Sequence, residues 1–233
     1  GEVPFREVLD PTVPSTVPSA RTAMAPIKQL RFLPAGRRAV FHYALYCKGI
    51  DPERPGGASI GVPAAPDFVI AYSNQVAPLT QAATFMHELG HNMGLGHGGG
   101  DVVNYKPNYI SIMNYRFRLL GTLRPDTRQR SIDFSRRALA TLDETSLDEF
   151  VGISDPDGHR TTWNKDTRPD VPPGSNKCLV NWDLADRLFY PTDALDWNCD
   201  GLKTVTRVAA DLNSDGKCVF QGANERLDTT PAG

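Results

Sequence analysis

The chain has 233 residues, 40% of them hydrophobic, and a formal net charge of −2 at pH 7. This length and composition predict a globular protein with one good-sized core. Except for a few short pairs, the basic residues are scattered along the chain and form no stripe that could bind a phosphate backbone. Nucleic acid is therefore not an expected partner. No apolar run approaches the roughly 18 residues that span a bilayer, so no membrane span is expected.

The four cysteines, Cys47, Cys178, Cys199 and Cys218, contain no C-x-x-C pair. An even number without such a pair suits two disulfides better than a cysteine-based zinc site, and disulfides favour an oxidising compartment. We therefore predict a secreted protein, and four free thiols in a cytosolic protein are the alternative. One candidate disulfide joins Cys199 to Cys218. The alternative pairings are Cys178 with Cys199 and Cys47 with Cys218.

The chain begins with a proline-rich arm, residues 1–38, for which six prolines and little apolar periodicity predict extended or loop structure. Its start, GEVPFREVLD, lacks the charged and apolar regions of a signal peptide, so we expect a processed or trimmed chain. Two runs rich in β-branched and aromatic residues, at 39–47 and 67–73, predict strands. The stretch between them is expected to be loop, with a short edge strand around Ile60.

An amphipathic helix is predicted next, because apolar residues recur at spacings of three and four from Leu79 to about Met93. Thr80 is its expected N-cap. A second helix is predicted over residues 135–142.

A third helix is predicted over residues 146–151. Ser146 with Glu149 three residues later forms a capping box, and Gly152 stops the helix. The remainder of the chain is rich in Pro, Gly, Asn and Asp, which predicts loops held by ligated side chains or disulfides.

The first predicted helix carries HELGHNMGLGH, which contains three of the five histidines of the chain. His87 and His91 lie one turn apart on one helical face, so both imidazoles can reach the same ion. Gly94 can take the left-handed conformation that ends the helix and brings His97 round as a third ligand. Three imidazoles leave a tetrahedral Zn²⁺ with one open position for water, which is the catalytic arrangement.

Glu88 follows His87 directly and should project beside the metal. It is therefore the candidate general base that takes a proton from zinc-bound water. The short H-E-x-x-H pattern occurs by chance, but the extended H-E-x-x-H-x-x-G-x-x-H pattern is far more specific. The sequence thus predicts one catalytic zinc ion.

With this motif the chain resembles the metzincin clan of zinc endopeptidases, in which a methionine-bearing turn follows the histidines. NYISIMNYRF supplies that turn, with Met113 sixteen residues after His97. The resemblance implies that Met113 is an apolar floor beneath the three histidines. Tyr115 stands at the spacing found in the astacin-like, serralysin-like and pappalysin-like branches, which implies a fifth ligand or an oxyanion hydrogen-bond donor. The alternative for Tyr115 is an aromatic lining residue.

The resemblance covers about residues 39–150, and it implies an α+β fold with a small twisted mixed sheet, an active-site helix above the cleft and an irregular lower subdomain. The region before the helix is shorter than is usual in the family, so a first strand and a backing helix are expected to be missing or reduced.

We divide the chain into four segments: a Pro-rich N-terminal arm (1–38), an upper catalytic subdomain with the zinc helix (39–97), a lower catalytic subdomain with the Met-turn (98–190) and an Asp/Asn/Gly-rich segment (191–233).

Three further residues are interpreted through the same resemblance. The GGGD that follows His97 leaves the subfamily open, and Asp101 within it is expected to be a turn residue rather than a partner of a ligand histidine. Arg116 and Arg118 follow the Met-turn, where the family shapes the pocket for the residue after the cleaved bond. An acidic or polar preference there is a hypothesis.

Two stretches near the end, DWNCDG and DLNSDG, repeat the D-x-N-x-D-G pattern fifteen residues apart. This pattern is the opening half of a calcium loop, and plain turns are the alternative. The acidic residue expected at position 12 is missing, because Arg207 and Gly222 occupy those places, so Asn224 or Glu225 is expected to complete the shell. The candidate calcium ligands are Asp196, Asn198, Asp200, Asp211, Asn213 and Asp215.

The sequence therefore predicts a secreted, monomeric zinc metalloendopeptidase that acts on protein or peptide substrates, with calcium as a structural ion. The alternative is a non-catalytic extracellular binding module with a residual zinc site and calcium-ordered loops. The intact Glu88 argues against this alternative, because a module without catalysis has no need of the base.

Overall fold

The structure is a computed structural model, and the part of the chain that it describes consists of residues 24, 26–29, 41–47, 56–60, 67–72, 76–119, 121–123, 130–153, 155–159, 161, 194–195, 197–198 and 202–212. Strands and a helix both occur in it, so the predicted α+β class is confirmed at that level. The division into four segments stays a prediction.

A three-stranded sheet lies before the histidine motif. Its strands are β1 (Tyr43–Cys47), β2 (Gly56–Ile60) and β3 (Asp67–Ala71), in the order β1-β3-β2. β3 pairs in parallel with β1 and antiparallel with β2, so β2 forms an edge of the described sheet. The apolar run of β3 fits its central place, where four of its five residues are buried. The three predicted strands are confirmed, with shorter bounds.

The predicted amphipathic helix is confirmed as Pro78–Asn92, called the histidine helix below. Its N-cap is Ala77 and not Thr80, because Pro78 occupies the first turn, where a missing N–H has no cost, and no side chain caps the end. The helix packs on β2 and β3, and the hydroxyls of Tyr72 and Thr84 lie 2.6 Å apart across that contact. Among the described residues, no helix is long and apolar enough to cross a membrane.

The two other predicted helices, at 135–142 and 146–151, are wrong, because described residues 130–153 contain no helix. Instead, a small hairpin of β4 (Thr122–Leu123) and β5 (Arg130–Ser131) is followed by irregular chain.

Long-range contacts hold the second of these stretches in its irregular path. Leu147 forms an antiparallel bridge with Val208, and the backbone N–H of Ala210 donates to the carbonyl of Glu144. The predicted capping glutamate, Glu149, turns its carboxylate to the backbone N–H of Thr204 instead. The C-terminal segment 202–212 thus runs antiparallel to residues 144–149 and takes the polar groups that a helix would have used. The largest hydrophobic cluster of the described residues forms around this junction and contains Ile110, Phe117, Leu142, Leu147, Ile153, Leu195, Trp197 and Leu212.

Part of the N-terminal arm is helical, so the loop prediction is wrong for residues 24 and 26–29. Met24 is buried against Val69 of the sheet, and the Lys28 ammonium lies 2.6 Å from the Asp67 carboxylate. The remaining arm residues lie outside the described part of the chain.

Candidate metal centre

The three histidines of the motif converge in the structure. The ligand nitrogens of His87, His91 and His97 all lie within 4.8 Å of one another. His87 and His91 come from consecutive turns of the histidine helix. Gly94 has φ 91°, the left-handed conformation that the sequence required, and the chain turns there to present His97.

Two backbone carbonyls fix which nitrogen of each helical histidine faces the centre. Nδ1 of His87 donates to the carbonyl of Ile112 at 2.9 Å, and Nδ1 of His91 donates to the carbonyl of Leu95 at 2.8 Å. A carbonyl can only accept, so the proton sits on Nδ1 in both rings and the lone pair of Nε2 is left for a metal.

The nitrogen separation fits a tetrahedral zinc site. Nε2 of His91 lies 3.1 Å from Nε2 of His97. Zinc–nitrogen bonds of about 2.0–2.1 Å at the tetrahedral angle would place two ligand nitrogens roughly 3.3–3.4 Å apart. Two lone pairs at such a distance repel unless a cation or a proton lies between them. Three neutral imidazoles are a donor set that suits zinc.

Burial keeps these imidazoles in the form that binds metal. It lowers the pKa of His87 to about 3, against the opposing hydrogen bond to Ile112. It lowers the pKa of His97 to about 4 and also lowers that of His91. All three rings are therefore neutral near pH 7 and need not lose a proton when a cation binds.

Met113 lies fully buried against the histidine helix. A Cβ added to Gly90 would overlap its Sδ, so a larger residue at that point of the HELGH sequence would have to push the Met113 side chain aside. Asn114 holds the turn by donating from its side-chain amide to the carbonyls of Lys106 and Tyr109, at 2.8 and 2.9 Å. The turn also carries the Ile112 carbonyl that orients His87, so it positions Met113 and one of the three converging histidines together.

Glu88 is buried, with 3% of its surface exposed, and it lies beside the histidines rather than among them. Burial raises its pKa to about 7, while the charge of Arg118 and the backbone N–H of Ser59 oppose that rise. A Cβ on Gly57 of β2 would overlap the Glu88 carboxylate, which shows that the edge strand packs directly on this group. The carboxylate thus packs against the edge strand β2.

The Tyr115 ring lies beside the histidines, with its centre 4.2 Å from the centre of the His97 ring and 5.5 Å from that of the His87 ring. Asn104 fixes its backbone by accepting a hydrogen bond from the Tyr115 N–H at 3.0 Å. Tyr115 is 38% exposed, so part of the residue is open to solvent. Burial of the remaining surface raises the pKa of Tyr115, which keeps the hydroxyl a donor at neutral pH.

The two arginines after the Met-turn have different places. The Arg118 guanidinium lies over the Tyr115 ring, 4.7 Å from its centre, and its charge acts on all three histidines and on Glu88. The Arg116 side chain points inward and donates to the carbonyls of Tyr105 and Leu212, at 2.8 and 2.9 Å. The hypothesis that Arg116 lines a substrate pocket is therefore wrong, whereas Arg118 stands at the centre.

Asp101 is the turn residue that the sequence predicted. Its carboxylate accepts from the N–H of Val103 at 2.8 Å and lies 2.7 Å from the buried Lys106 ammonium.

A second group of titratable side chains, Asp155, Asp157 and His159, also brings its ligand atoms within 4.8 Å. Nδ1 of His159 lies 2.9 Å from the Asp155 carboxylate, and the Arg137 guanidinium lies 2.8 Å from that of Asp157. One carboxylate of the group thus pairs with an imidazole of the same group, and the other pairs with a guanidinium from outside it.

Most of the calcium prediction falls on residues that the structure does not describe. Asn198 and Asp211 are described, but Asp196, Asp200, Asn213 and Asp215 lie outside the described residues, as do Cys178, Cys199 and Cys218. Calcium binding by these loops and the disulfides stay predictions.

Several groups around the centre have no signal in the sequence. The carbonyls of Ile112 and Leu95 and the N–H of Ser59 act through the backbone, which every residue type provides. Gly57 could have been noticed only as a glycine in a strand, where a close approach of another group is expected.

A family model described as metallo-peptidase family M12B, reprolysin-like, matches residues 46–98. That range holds β2, β3, the histidine helix and all three histidines, and it ends before Met113. No curated protein and no solved structure matches the chain. The family match and the histidine triad together support a zinc metallopeptidase, while neither supports the astacin-like or serralysin-like branch over others.

Proposed function

We propose that this protein is a secreted zinc endopeptidase of metzincin type, with Glu88 as its general base. The observation that carries the proposal is the convergence of three histidine nitrogens beside a buried carboxylate with a raised pKa. Metal ligands and a base in one cleft are the parts that metal-assisted hydrolysis requires.

His87, His91 and His97 would hold the zinc ion, which supplies Lewis-acid polarisation of the scissile carbonyl and of water when bound. Glu88 takes the proton from the attacking water and passes it to the leaving amine. One group can serve in both transfers because it holds the proton between them, and burial, which raises the pKa of Glu88, favours that protonated form. The hydroxyl of Tyr115 donates a hydrogen bond to the oxyanion.

The substrate backbone would extend along β2. This strand is an edge of the described sheet and packs on Glu88 through Gly57. An extended peptide that pairs with such an edge gains backbone hydrogen bonds whatever its side chains are. The pairing would bring the scissile bond to the base.

Arg118 gives the cleft a positive charge beside the scissile bond. It is partly exposed and stacks on Tyr115, so an acidic substrate side chain can reach its guanidinium. We therefore expect digestion of a peptide library to yield internal cleavage products with acidic residues enriched next to the cut.

The matched variants are Arg118→Ala and Arg137→Ala. Mass spectrometry of the products should show the acidic preference reduced about tenfold in Arg118→Ala, the range of one charged contact. Arg137 pairs with Asp157 outside the cleft, and its replacement should leave the cleavage profile unchanged. An identical cleavage profile in the wild type, Arg118→Ala and Arg137→Ala would contradict the role of Arg118. If none of the three proteins yields internal cleavage products, endopeptidase activity is contradicted.

The second candidate is a binding module with a residual zinc site. The buried Glu88 disfavours it, because burying a carboxylate is costly and a protein without catalysis gains nothing in return. Zinc binding without cleavage of any library peptide is the result that would favour this candidate.

A further inference from the structure

His97 differs from the two helical histidines in how its ring is held. Nδ1 of His87 and Nδ1 of His91 each donate to a backbone carbonyl. Within the described part of the chain, the hydrogen-bond contact of the His97 ring is through Nε2, which faces Nε2 of His91, and no group contacts its Nδ1 in this way. The place of the third histidine therefore depends on the loop that carries it, residues 94–101, called the His97 loop below.

A buried ion pair holds the end of the His97 loop. The Lys106 side chain is fully buried, and its ammonium lies 2.7 Å from the carboxylate of Asp101 and 3.5 Å from the carbonyl oxygen of Gly98. Burying an ammonium without a counter-charge is strongly disfavoured, so the carboxylate is held in place beside it. Because Gly98 directly follows His97, this pair acts on the backbone next to the histidine.

The backbone on both sides of His97 is tied to the same turn. The N–H of Gly96 donates to the carbonyl of Gly99 at 2.6 Å, and the N–H of Gly98 donates to the carbonyl of Asp101 at 3.1 Å. A Cβ on Gly98 would overlap Oδ1 of Asp101, so a larger residue there would displace the carboxylate from the ammonium. The glycines after His97 thus let the loop close tightly around the ion pair.

The backbone of Lys106 is fixed to the Met-turn. Its carbonyl accepts a hydrogen bond from the side-chain amide of Asn114 at 2.8 Å. The same turn carries the Ile112 carbonyl that orients His87. Lys106 therefore joins two parts of the centre, because its side chain holds the His97 loop and its backbone is bound to the turn that orients His87.

We propose that Lys106 and Asp101 are positioning residues for the zinc centre, and that their ion pair holds His97 where it meets the two helical histidines. The proposal rests on the proposed function, because it requires that the three histidines bind zinc. Two of these ligands stand on a helix, which is rigid by itself, whereas the third stands on a loop. A loop that is already ordered adds no ordering cost to metal binding, so the ion pair raises zinc affinity.

Lys106→Met removes the ammonium and keeps an unbranched side chain. We expect this variant to bind zinc about 10- to 100-fold more weakly, the range for losing a group that supports a metal ligand. Transfer of zinc from the intact, zinc-loaded protein to a chromophoric chelator measures this affinity and needs no peptidase activity. The matched control is Lys28→Met, because Lys28 is also a buried lysine, 2.6 Å from the carboxylate of Asp67, but its ion pair joins the N-terminal arm to β3. Its zinc affinity should equal that of the wild type.

A second variant makes the test independent of how well Lys106→Met folds. Asp101→Asn keeps the shape of the partly exposed partner and should weaken zinc binding to a similar extent. The double variant that combines both changes leaves neither charge without its partner. After zinc is removed, it should therefore unfold at a higher temperature than either single variant. Its zinc affinity should stay low, because the link between the His97 loop and Lys106 is still absent.

Three results would overturn the positioning role while the wild type still binds zinc. They are unchanged zinc affinity in both single variants, equal weakening in Lys28→Met, and recovery of zinc affinity together with stability in the double variant. The last result is the one that a merely structural ion pair would give. A wild-type protein that binds no zinc would overturn the proposed function as well.

Discussion

Glu88→Gln is expected to lower kcat/KM for peptide hydrolysis by about 10²- to 10⁴-fold, the usual contribution of a general base. Glutamine has nearly the same shape, so it should fit against Gly57 as the glutamate does. It cannot accept a proton from water, however. Zinc content should stay at the wild-type level, because Glu88 is not among the three converging ligands.

The matched control for this variant is Asp157→Asn, which removes a carboxylate that pairs with Arg137 away from the centre. Its activity should stay close to that of the wild-type protein. Kinetics on one fluorogenic peptide, together with metal analysis of each preparation, separates the cases. Wild-type activity in Glu88→Gln would show that Glu88 is not the general base. Loss of zinc from that variant would show that Glu88 affects activity by supporting metal binding.

His97→Ala should abolish both zinc retention and peptidase activity. Removing a group that only hydrogen-bonds to a metal ligand lowers metal affinity by about 10–100-fold, so removing a ligand itself should lower zinc affinity by more than about 100-fold. His97 comes from the loop after Gly94 and not from the helix, so the helix itself should survive the change.

The control is His159→Ala. His159 lies beside Asp155, so this variant removes an imidazole from the chain without touching the centre. It should keep full zinc content and activity, and circular dichroism should show both variants folded. A His97→Ala protein that still holds one zinc ion tightly would show that the metal lies elsewhere.

The features predicted correctly from sequence are those set by local geometry. His87 and His91 share a helical face because of their spacing alone. Gly94 follows the end of the helix closely and takes a left-handed conformation there, which glycine adopts without strain. β3 was recognisable because a strand buried on both faces needs an uninterrupted apolar run. Such local rules apply whatever the remaining fold is.

The features predicted wrongly are those decided by distant partners. Ser146 and Glu149 have the spacing of a capping box, but Thr204 lies 55 residues further along the chain and takes the glutamate instead. A local pattern cannot reveal such a competitor.

Arg116 and Arg118 illustrate the same limit at the candidate site. Both follow Met113, yet contacts of Arg116 with Tyr105 and with Leu212, 96 residues away, hold its side chain inward, whereas Arg118 lies over the Tyr115 ring.

Zinc titration of the metal-free protein tests the central claim most directly. The protein would be stripped with a chelator, dialysed and assayed on a peptide substrate as zinc is added. We expect no hydrolysis without metal, a linear rise in activity and a break at one zinc ion per chain, because the described part of the chain contains one triad of converging histidines. Hydrolysis that persists in the metal-free protein, or zinc binding that restores no hydrolysis, would contradict the assignment of this chain as a zinc peptidase.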